Sequence, residues 1–116
     1  MNYLLDTHIF IWWSEDPKPK FKSIISNPKN RIYVSIVSLW EMAIKISIKK
    51  LRLKTSIDNL SKQYGFETLP VKMDHLITLL KLPHLHKDPF DRMLDAQAKT
   101  EKLRLLTSDP KVLAYL

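Results

Sequence analysis

Short strand-like segments alternate with helix-like segments along the whole chain. The strand-like segments fall at residues 3–5, 31–34, 66–71 and 103–107. The segments between them place apolar residues at helical spacing, and several begin with a residue that favours a helix N-cap. This order is typical of a parallel sheet with helices on both faces. We therefore predict one α/β domain that spans residues 1–116.

The first predicted strand runs directly into an acid. Tyr3, Leu4 and Leu5 form a continuous apolar run, as expected for a strand that is covered on both faces, and Asp6 follows. In open α/β sheets, ligands bind outside the carboxyl ends of the strands. An acid at the end of a buried strand also needs a partner. Asp6 is therefore the first candidate for a functional residue.

Three further acids are expected at the same edge of the sheet. Asp109 follows the last predicted strand, Asp91 lies in the first turn of a predicted helix, and Glu41 lies in the second turn of another. Carboxylate oxygens suit Mg²⁺ or Mn²⁺, and carboxylates that lie close together repel unless a cation neutralises them. Individually, Glu41 can pair with Lys45 at i, i+4, and Asp109 can cap a helix. Together with Asp6, the set favours a metal site.

One of these helices is predicted from about residue 36 to residue 50, with Ser35 as its N-cap. At helical spacing, Ser38, Lys45 and Lys49 form one narrow polar strip, and nearly all the other positions are apolar. A helix with this pattern is usually buried over most of its surface. We therefore expect it to be mostly buried, with Glu41 between the polar strip and the buried face.

The helix that carries Asp91 has a clear start signal. Asp88 is predicted as its N-cap and Pro89 as its first residue, and the helix is expected to run to about Lys102. On a helical wheel, Asp91 lies at the edge of the buried face, whereas Asp95 lies further towards solvent. The cap and the wheel together favour Asp91 over Asp88 as a site residue.

Composition narrows the chemistry further. The chain contains one glycine and no cysteine, which excludes glycine-rich phosphate loops, thiolate metal sites and a cysteine nucleophile. Its net charge of +7 favours a polyanionic partner such as nucleic acid. No apolar stretch reaches the roughly 18 residues of a membrane span, and nothing resembles a signal peptide. We expect a cytoplasmic protein that does not enter a membrane.

Four stretches, in this order, resemble the PIN-domain ribonucleases, and in particular the VapC-type toxins of bacterial toxin–antitoxin pairs. They are Leu4-Leu5-Asp6-Thr7-His8, Ser38-Leu39-Trp40-Glu41-Met42-Ala43-Ile44-Lys45, His86-Lys87-Asp88-Pro89-Phe90-Asp91-Arg92-Met93-Leu94 with Ala96-Gln97-Ala98, and Leu106-Thr107-Ser108-Asp109. The third is the most specific, and the resemblance runs over nearly the whole chain. The resemblance implies a PIN-like three-layer α/β/α sandwich with a central parallel sheet.

The same resemblance implies a metal-dependent endoribonuclease that acts as a toxin. Asp6 and Asp91 would hold Mg²⁺ or Mn²⁺ most directly, and Glu41 and Asp109 would complete the site, partly through water. A metal-activated water would attack phosphorus in line and leave a 5′-phosphate and a 3′-hydroxyl. The implied partners are an RNA substrate, a small cognate antitoxin that occludes the site, and a second copy of the chain in a homodimer.

Three other functions share part of this pattern. A phosphotransfer receiver domain needs a pair of acids after the first strand and an aspartate after the third, and residues 66–70 contain no aspartate. A haloacid-dehalogenase-like phosphatase needs a second aspartate two residues after Asp6, where this chain has His8. A non-catalytic RNA-binding or adaptor module remains open, and metal-dependent cleavage would distinguish it from the nuclease.

Overall fold

Parallel strands form the centre of the molecule. The computed structural model describes residues 1–15, 21–84 and 88–107. The strands in these ranges are β1 (Asn2–Leu5), β2 (Arg31–Ser35), β3 (Glu67–Leu69) and β4 (Arg104–Leu106). Their order in the sheet is β3-β2-β1-β4, and every neighbouring pair is parallel. The predicted α/β arrangement is confirmed, with β1 in the interior of the sheet between β2 and β4.

Helices connect the strands and cover the sheet. They are α1 (Thr7–Glu15), α2 (Lys22–Ile25), α3 (Ile36–Ser47), α4 (Ile57–Gln63), α5 (Met73–Lys81) and α6 (Pro89–Glu101). Within the described ranges, none of them has the length and apolar character needed to cross a membrane. A final helical turn, which the sequence predicts over residues 111–116, lies outside the described residues.

Both faces of the sheet are buried, which confirms the three-layer α/β/α architecture. Successive side chains of a strand point to opposite faces, so Tyr3 and Leu5 of β1 enter one core and Leu4 enters the other. The first core also contains Phe10 of α1, Ile25 of α2, Met42 of α3 and Leu60 of α4, and the second contains Leu94 and Ala98 of α6. The continuous apolar run of β1 thus contributes side chains to both cores.

The N-terminus of α6 has the predicted cap. The Asp88 carboxylate accepts hydrogen bonds from the backbone N–H groups of Phe90 and Asp91, at 2.9 and 3.1 Å, and Pro89 occupies the first turn. These bonds satisfy two of the N–H groups that a helix leaves free at its start. The cap fixes the register of α6 and therefore the position of Asp91.

A polar network attaches α6 to the carboxyl ends of β2 and β3. The Gln97 amide donates to the backbone carbonyl of Pro70 at 3.2 Å, and its oxygen accepts from the Ser35 hydroxyl at 2.5 Å. Ser35 is the last residue of β2, and Pro70 directly follows β3. At the other end of α6, Glu101 bonds to the buried His75 of α5 with 2.7 Å between Oε2 and Nε2. These bonds fix the helix along its length.

Helix α3 is oriented differently from the prediction. Its buried residues are Val37, Ser38, Glu41 and Met42, whereas Ile36, Trp40 and Ile44, spaced four residues apart, are exposed. The expectation of a mostly buried helix is therefore wrong. The count of apolar residues does not determine which side faces inward. The Ser35 hydroxyl donates to Gln97 of α6 and the Ser38 hydroxyl accepts from Thr7 of α1, and these bonds fix the rotation of the helix.

Candidate metal centre

Asp6 lies at the carboxyl end of β1 and is 2 % exposed. Its Oδ2 accepts a hydrogen bond from the Thr107 hydroxyl at 2.5 Å, and its Oδ1 accepts from the backbone N–H of His8 at 3.1 Å. Thr107 directly follows β4, so the end of a neighbouring strand orients the carboxylate. Thr107 is not among the site residues predicted from the sequence. Its position directly after a strand, like that of Asp6, is the signal that could have identified it.

Glu41 reaches the interior because α3 starts directly at the end of β2. Ser35 caps the helix, as predicted, and Ser38 is buried one turn later. The Thr7 hydroxyl donates to the Ser38 hydroxyl at 2.9 Å, which ties α3 to the residue that follows Asp6. Glu41 lies one turn beyond Ser38 on the same side of the helix. The segments that carry Asp6 and Glu41 are therefore joined by a buried hydrogen bond.

The Glu41 side chain is only partly satisfied by its neighbours. The residue is 8 % exposed, and its Oε2 lies 3.4 Å from Lys45 Nζ, which confirms the predicted i, i+4 pair. Its Oε1 is buried and has no hydrogen-bond partner among the described residues. A buried carboxylate oxygen without a donor is costly. This oxygen thus marks a place where a cation or a water would be favourable.

Asp91 lies in the first turn of α6 and is 9 % exposed. This agrees with its predicted position at the edge of the buried face. The positive end of the helix dipole favours a negative charge in this turn. Asp88, by contrast, is exposed and uses its carboxylate for the cap. The two acids therefore have different environments, although three positions separate them.

Asp95, one turn further along α6, is fully buried, so its predicted position towards solvent is wrong. Burial raises the pKa of this carboxyl to about 7, Lys99 opposes the rise, and the Asp6 carboxylate adds to it. The helical wheel shows only the residues of α6 and contains no information about the elements that pack against it. In the molecule, α6 packs against the sheet through Leu94 and against α5 through Ala96, so more than one of its sides is covered.

The structure brings some of these acids together. Asp95 lies close enough to Asp6 for their charges to interact, and Asp91 precedes Asp95 by one helical turn. Within residues 1–15, 21–84 and 88–107, no three acids or histidines group tightly enough to form a metal-binding cluster. Asp109 lies outside these ranges. The full set of Asp6, Glu41, Asp91 and Asp109 therefore stays a prediction.

The chemistry of the donors fits a hard divalent cation. The side chains at this edge are carboxylates, and carboxylate oxygens are the ligands that Mg²⁺ and Mn²⁺ prefer. The buried Oε1 of Glu41 has no donor among the described residues, and the nearby Asp6 and Asp95 carboxylates repel each other. A cation would bind the Oε1 of Glu41 and would offset the repulsion between Asp6 and Asp95. Asp6, Glu41 and Asp91 are thus suitable ligands for such an ion.

Two apolar surfaces lie outside this site. An apolar groove between α3, α5 and α6 is lined by Ile36, Trp40, Val71, Leu76, Phe90 and Met93. In this groove, Trp40 is 61 % exposed and packs edge-on against Phe90, with ring centroids 5.1 Å apart. On α1, the Trp12 side chain is also exposed. Exposed apolar patches of this kind usually mark contacts with other molecules.

The PIN domain family model matches residues 3–115 of this chain. VapBC2 from Rickettsia felis, solved bound to a DNA fragment from its promoter, is 17% identical with a TM-score of 0.74, over 99% of this chain and 93% of that chain. A toxin–antitoxin complex from Klebsiella pneumoniae is 20% identical with a TM-score of 0.66, over 97% and 90%. These identities show a shared fold, and no curated protein sequence matches. Because the family model spans almost the whole chain, the chain belongs to the PIN domain family.

Proposed function

We propose that this PIN domain is a Mg²⁺- or Mn²⁺-dependent endoribonuclease and the toxin of a toxin–antitoxin pair. PIN domains are generally nucleases. The observation that carries the proposal is the buried Oε1 of Glu41, which has no hydrogen-bond partner among the described residues, on a helix bonded to the segment of Asp6. Binding of a cation explains the burial of this acid better than a purely structural role does.

Asp6, Glu41, Asp91 and Asp109 are the proposed metal ligands. A bound Mg²⁺ or Mn²⁺ would supply a hydroxide nucleophile at neutral pH and would stabilise negative charge on the phosphate. Hydrogen bonds within the protein orient the Asp6 carboxylate before a metal binds. Thr107 and the N–H of His8 hold the Asp6 carboxylate in one orientation. Hydrolysis by an activated water would leave a 5′-phosphate and a 3′-hydroxyl.

The proposed substrate is RNA. The net charge of +7 supports a polyanionic substrate, since lysine and arginine side chains bind phosphates and release counterions. Lys45, beside Glu41, places one of these cations next to the candidate site. RNA rather than DNA is part of the proposal because the sequence resembles PIN-domain ribonucleases, and the cleavage assay below tests both nucleic acids.

The proposed partners are a small antitoxin and a second copy of the chain. The similar structures reported above include VapBC2, solved with promoter DNA, and a toxin–antitoxin complex. The antitoxin would cover the apolar surface around Trp12 and Trp13 and insert a cation at the acidic site. The second copy would cover the groove between α3, α5 and α6, where Trp40 is exposed. We further propose that the pair acts in the cytoplasm.

A cleavage assay tests the proposed activity. End-labelled RNA and DNA of equal length are incubated with the chain, with and without a chelator, and then with added Mg²⁺ or Mn²⁺. We expect cleavage of RNA that chelation abolishes and either ion restores. Asp6→Asn should be inactive yet folded, whereas Asp74→Asn, which changes an exposed acid on α5, should be as active as the unmodified chain.

Two results would contradict the proposal. Full activity of Asp6→Asn would refute the assignment of the site. RNA binding without cleavage, at every metal concentration, would favour a non-catalytic RNA-binding or adaptor module. The toxin assignment has a separate test, because the chain should arrest growth when expressed alone and should be rescued by the product of an adjacent reading frame. If the chain is harmless when expressed alone, the toxin assignment fails.

A further inference from the structure

A run of cations without any acid follows Glu41 in the sequence and extends to Asp58. Its members are Lys45, Lys49, Lys50, Arg52 and Lys54. The first of them lies at the candidate metal centre, because Lys45 Nζ is 3.4 Å from Glu41 Oε2. The other four belong to the connection between α3 and α4. We refer to Lys49, Lys50, Arg52 and Lys54 as the cationic strip.

The end of α3 holds the start of the cationic strip close to Lys45. The backbone N–H of Lys50 donates to the carbonyl of Lys45 at 2.8 Å, and that of Lys49 donates to the carbonyl of Ile46 at 3.0 Å. With Lys49 in the left-handed region at φ 62°, this is the hydrogen-bond pattern of a Schellman motif. The strip therefore begins beside the helical turn whose lysine pairs with Glu41.

The strip continues along a segment whose side chains alternate between the core and solvent. Leu51 and Leu53 pack against the first core, whereas Arg52 and Lys54 are exposed. Alternation with a period of two is typical of an extended chain, so the Arg52 and Lys54 side chains leave the backbone on the same side, roughly 7 Å apart. The two leucines thus anchor the segment, and the cations form a row that faces outward.

The charges of the strip are not neutralised within the described part of the chain. None of its four cations forms an ion pair with a residue in the ranges 1–15, 21–84 and 88–107. A cleft of about 490 Å³ lies beside Arg52 and Lys54, and Glu15 is the one acid among the described residues that line it. Two cations against one acid leave this wall positive, and such a wall attracts a polyanion.

We propose that the cationic strip binds backbone phosphates of single-stranded RNA on one side of the scissile bond and guides the strand into the metal site. This inference rests on the proposed ribonuclease function. Every exposed residue between positions 49 and 54 is a cation. Protein interfaces are depleted in lysine and depend on aromatic anchors, whereas a phosphate backbone needs only cations. Because its contacts are to phosphates, the strip would add affinity without reading the bases.

Fluorescence anisotropy of a labelled single-stranded RNA, measured over a range of salt concentrations in the inactive Asp6→Asn background, tests the inference. Arg52→Gln combined with Lys54→Gln should weaken binding about fivefold per cation. The slope of log affinity against log salt should become shallower by about 0.7 per cation. The matched control is Lys102→Gln combined with Arg104→Gln. These cations also flank a packed leucine and are exposed, but they lie at the amino end of β4, away from the carboxyl edge of the sheet, and they should leave binding unchanged.

A second pair of variants separates RNA binding from folding. Lys49 and Lys102 both have positive φ at the end of a helix, 62° and 57°, and glycine suits this conformation better than lysine does. Lys49→Gly should therefore melt at no lower temperature than its parent and still lose RNA affinity. Lys102→Gly should melt in the same way and keep its RNA affinity. Equal affinities of the two variants would overturn the role of Lys49.

The outcomes separate this inference from the proposed function. If the unmodified chain cleaves RNA and the strip variants bind RNA as tightly as their controls, the strip is refuted and the nuclease stands. If the strip variants lose RNA affinity but the unmodified chain cleaves no RNA with either metal, binding by the strip stands and the proposed cleavage fails. If Asp6→Asn binds no single-stranded RNA, both the strip and the RNA substrate fail.

An acidic segment of another protein is the alternative occupant of the strip. Polyglutamate with the same number of charges as the RNA is added as a competitor in the same anisotropy assay. We expect it to displace the RNA only weakly. Tighter binding of polyglutamate than of RNA, lost in Arg52→Gln with Lys54→Gln, would assign the strip to an acidic protein partner and overturn the inference.

Discussion

Asp95→Asn is expected to stabilise the metal-free protein, and only at pH values at which aspartate ionises in the unfolded chain. Burial and the nearby Asp6 carboxylate together raise the pKa of Asp95 from 3.8 to about 7, against the opposing effect of Lys99. Below about pH 4, the carboxyl is protonated in both the folded and the unfolded state, so it does not affect stability. As the pH rises from about 4 to about 7, only the unfolded state releases the proton, and the free energy of unfolding falls.

The magnitude follows from the separation of the two pKa values. About three pH units at about 1.4 kcal/mol each correspond to a loss on the order of 4 kcal/mol, complete above pH 7. Asparagine avoids this loss because it stays neutral. Its buried amide still needs hydrogen-bond partners, which costs about 1–3 kcal/mol. We therefore expect a net gain of about 1–3 kcal/mol at pH 8. At pH 4 the amide cost has no offset, so we expect a net loss of about 1–3 kcal/mol there.

Urea unfolding in the presence of a chelator, followed by circular dichroism between pH 4 and pH 8, measures this effect. The quantity of interest is the difference in unfolding free energy between Asp95→Asn and the unmodified chain, because other titrating groups cancel in it. Parallel pH curves for Asp95→Asn and the unmodified chain would refute the reasoning about burial.

Three further predictions concern the cap, the charge and the apolar groove. Asp88→Ala is expected to cost about 1 kcal/mol of stability and to keep cleavage, whereas Asp91→Ala should abolish cleavage at nearly unchanged stability. Thermal melts and cleavage assays compare the two, and the reverse pattern would contradict the site. RNA affinity of the inactive Asp6→Asn variant should fall linearly on a log–log plot against salt, and a flat response would show that the net charge is incidental. Trp40→Glu and Leu76→Glu should each convert a dimer into a monomer in light scattering, and an unchanged mass would exclude this groove as the dimer interface.

The fold could be predicted from the sequence because its signals are local. The apolar run of β1, the Ser35 cap and the Asp88–Pro89 start each depend on a few neighbouring residues, and the structure confirms all three. Asp6 was recognised for the same reason, since its position directly after β1 is visible in the sequence. Alternation of strands and helices then restricts the topology to a parallel sheet.

The details of the site could not be predicted, because they depend on contacts between distant segments. The hydroxyl that binds Asp6 belongs to Thr107, 101 positions away in the chain. The helical wheel predicts a position towards solvent for Asp95 because it contains no information about α5 and the sheet, which together cover α6 on more than one side. Asp109 remains a prediction from the sequence alone.

Helix α3 shows why patterns of hydrophobicity are misleading near such a site. A helix on the surface of a protein normally buries its apolar residues and exposes its polar ones. In α3, Ser38 and Glu41 are buried, and Trp40 is largely exposed. The burial of Ser38 is explained by its hydrogen bond with Thr7, and that of Glu41 by the proposed cation. The exposure of Trp40 is explained by the proposed second copy, which would cover it. Because Trp40 and Glu41 are adjacent in sequence, a partner that packs on Trp40 would also restrict the rotation of α3 and hold Glu41 towards the metal site.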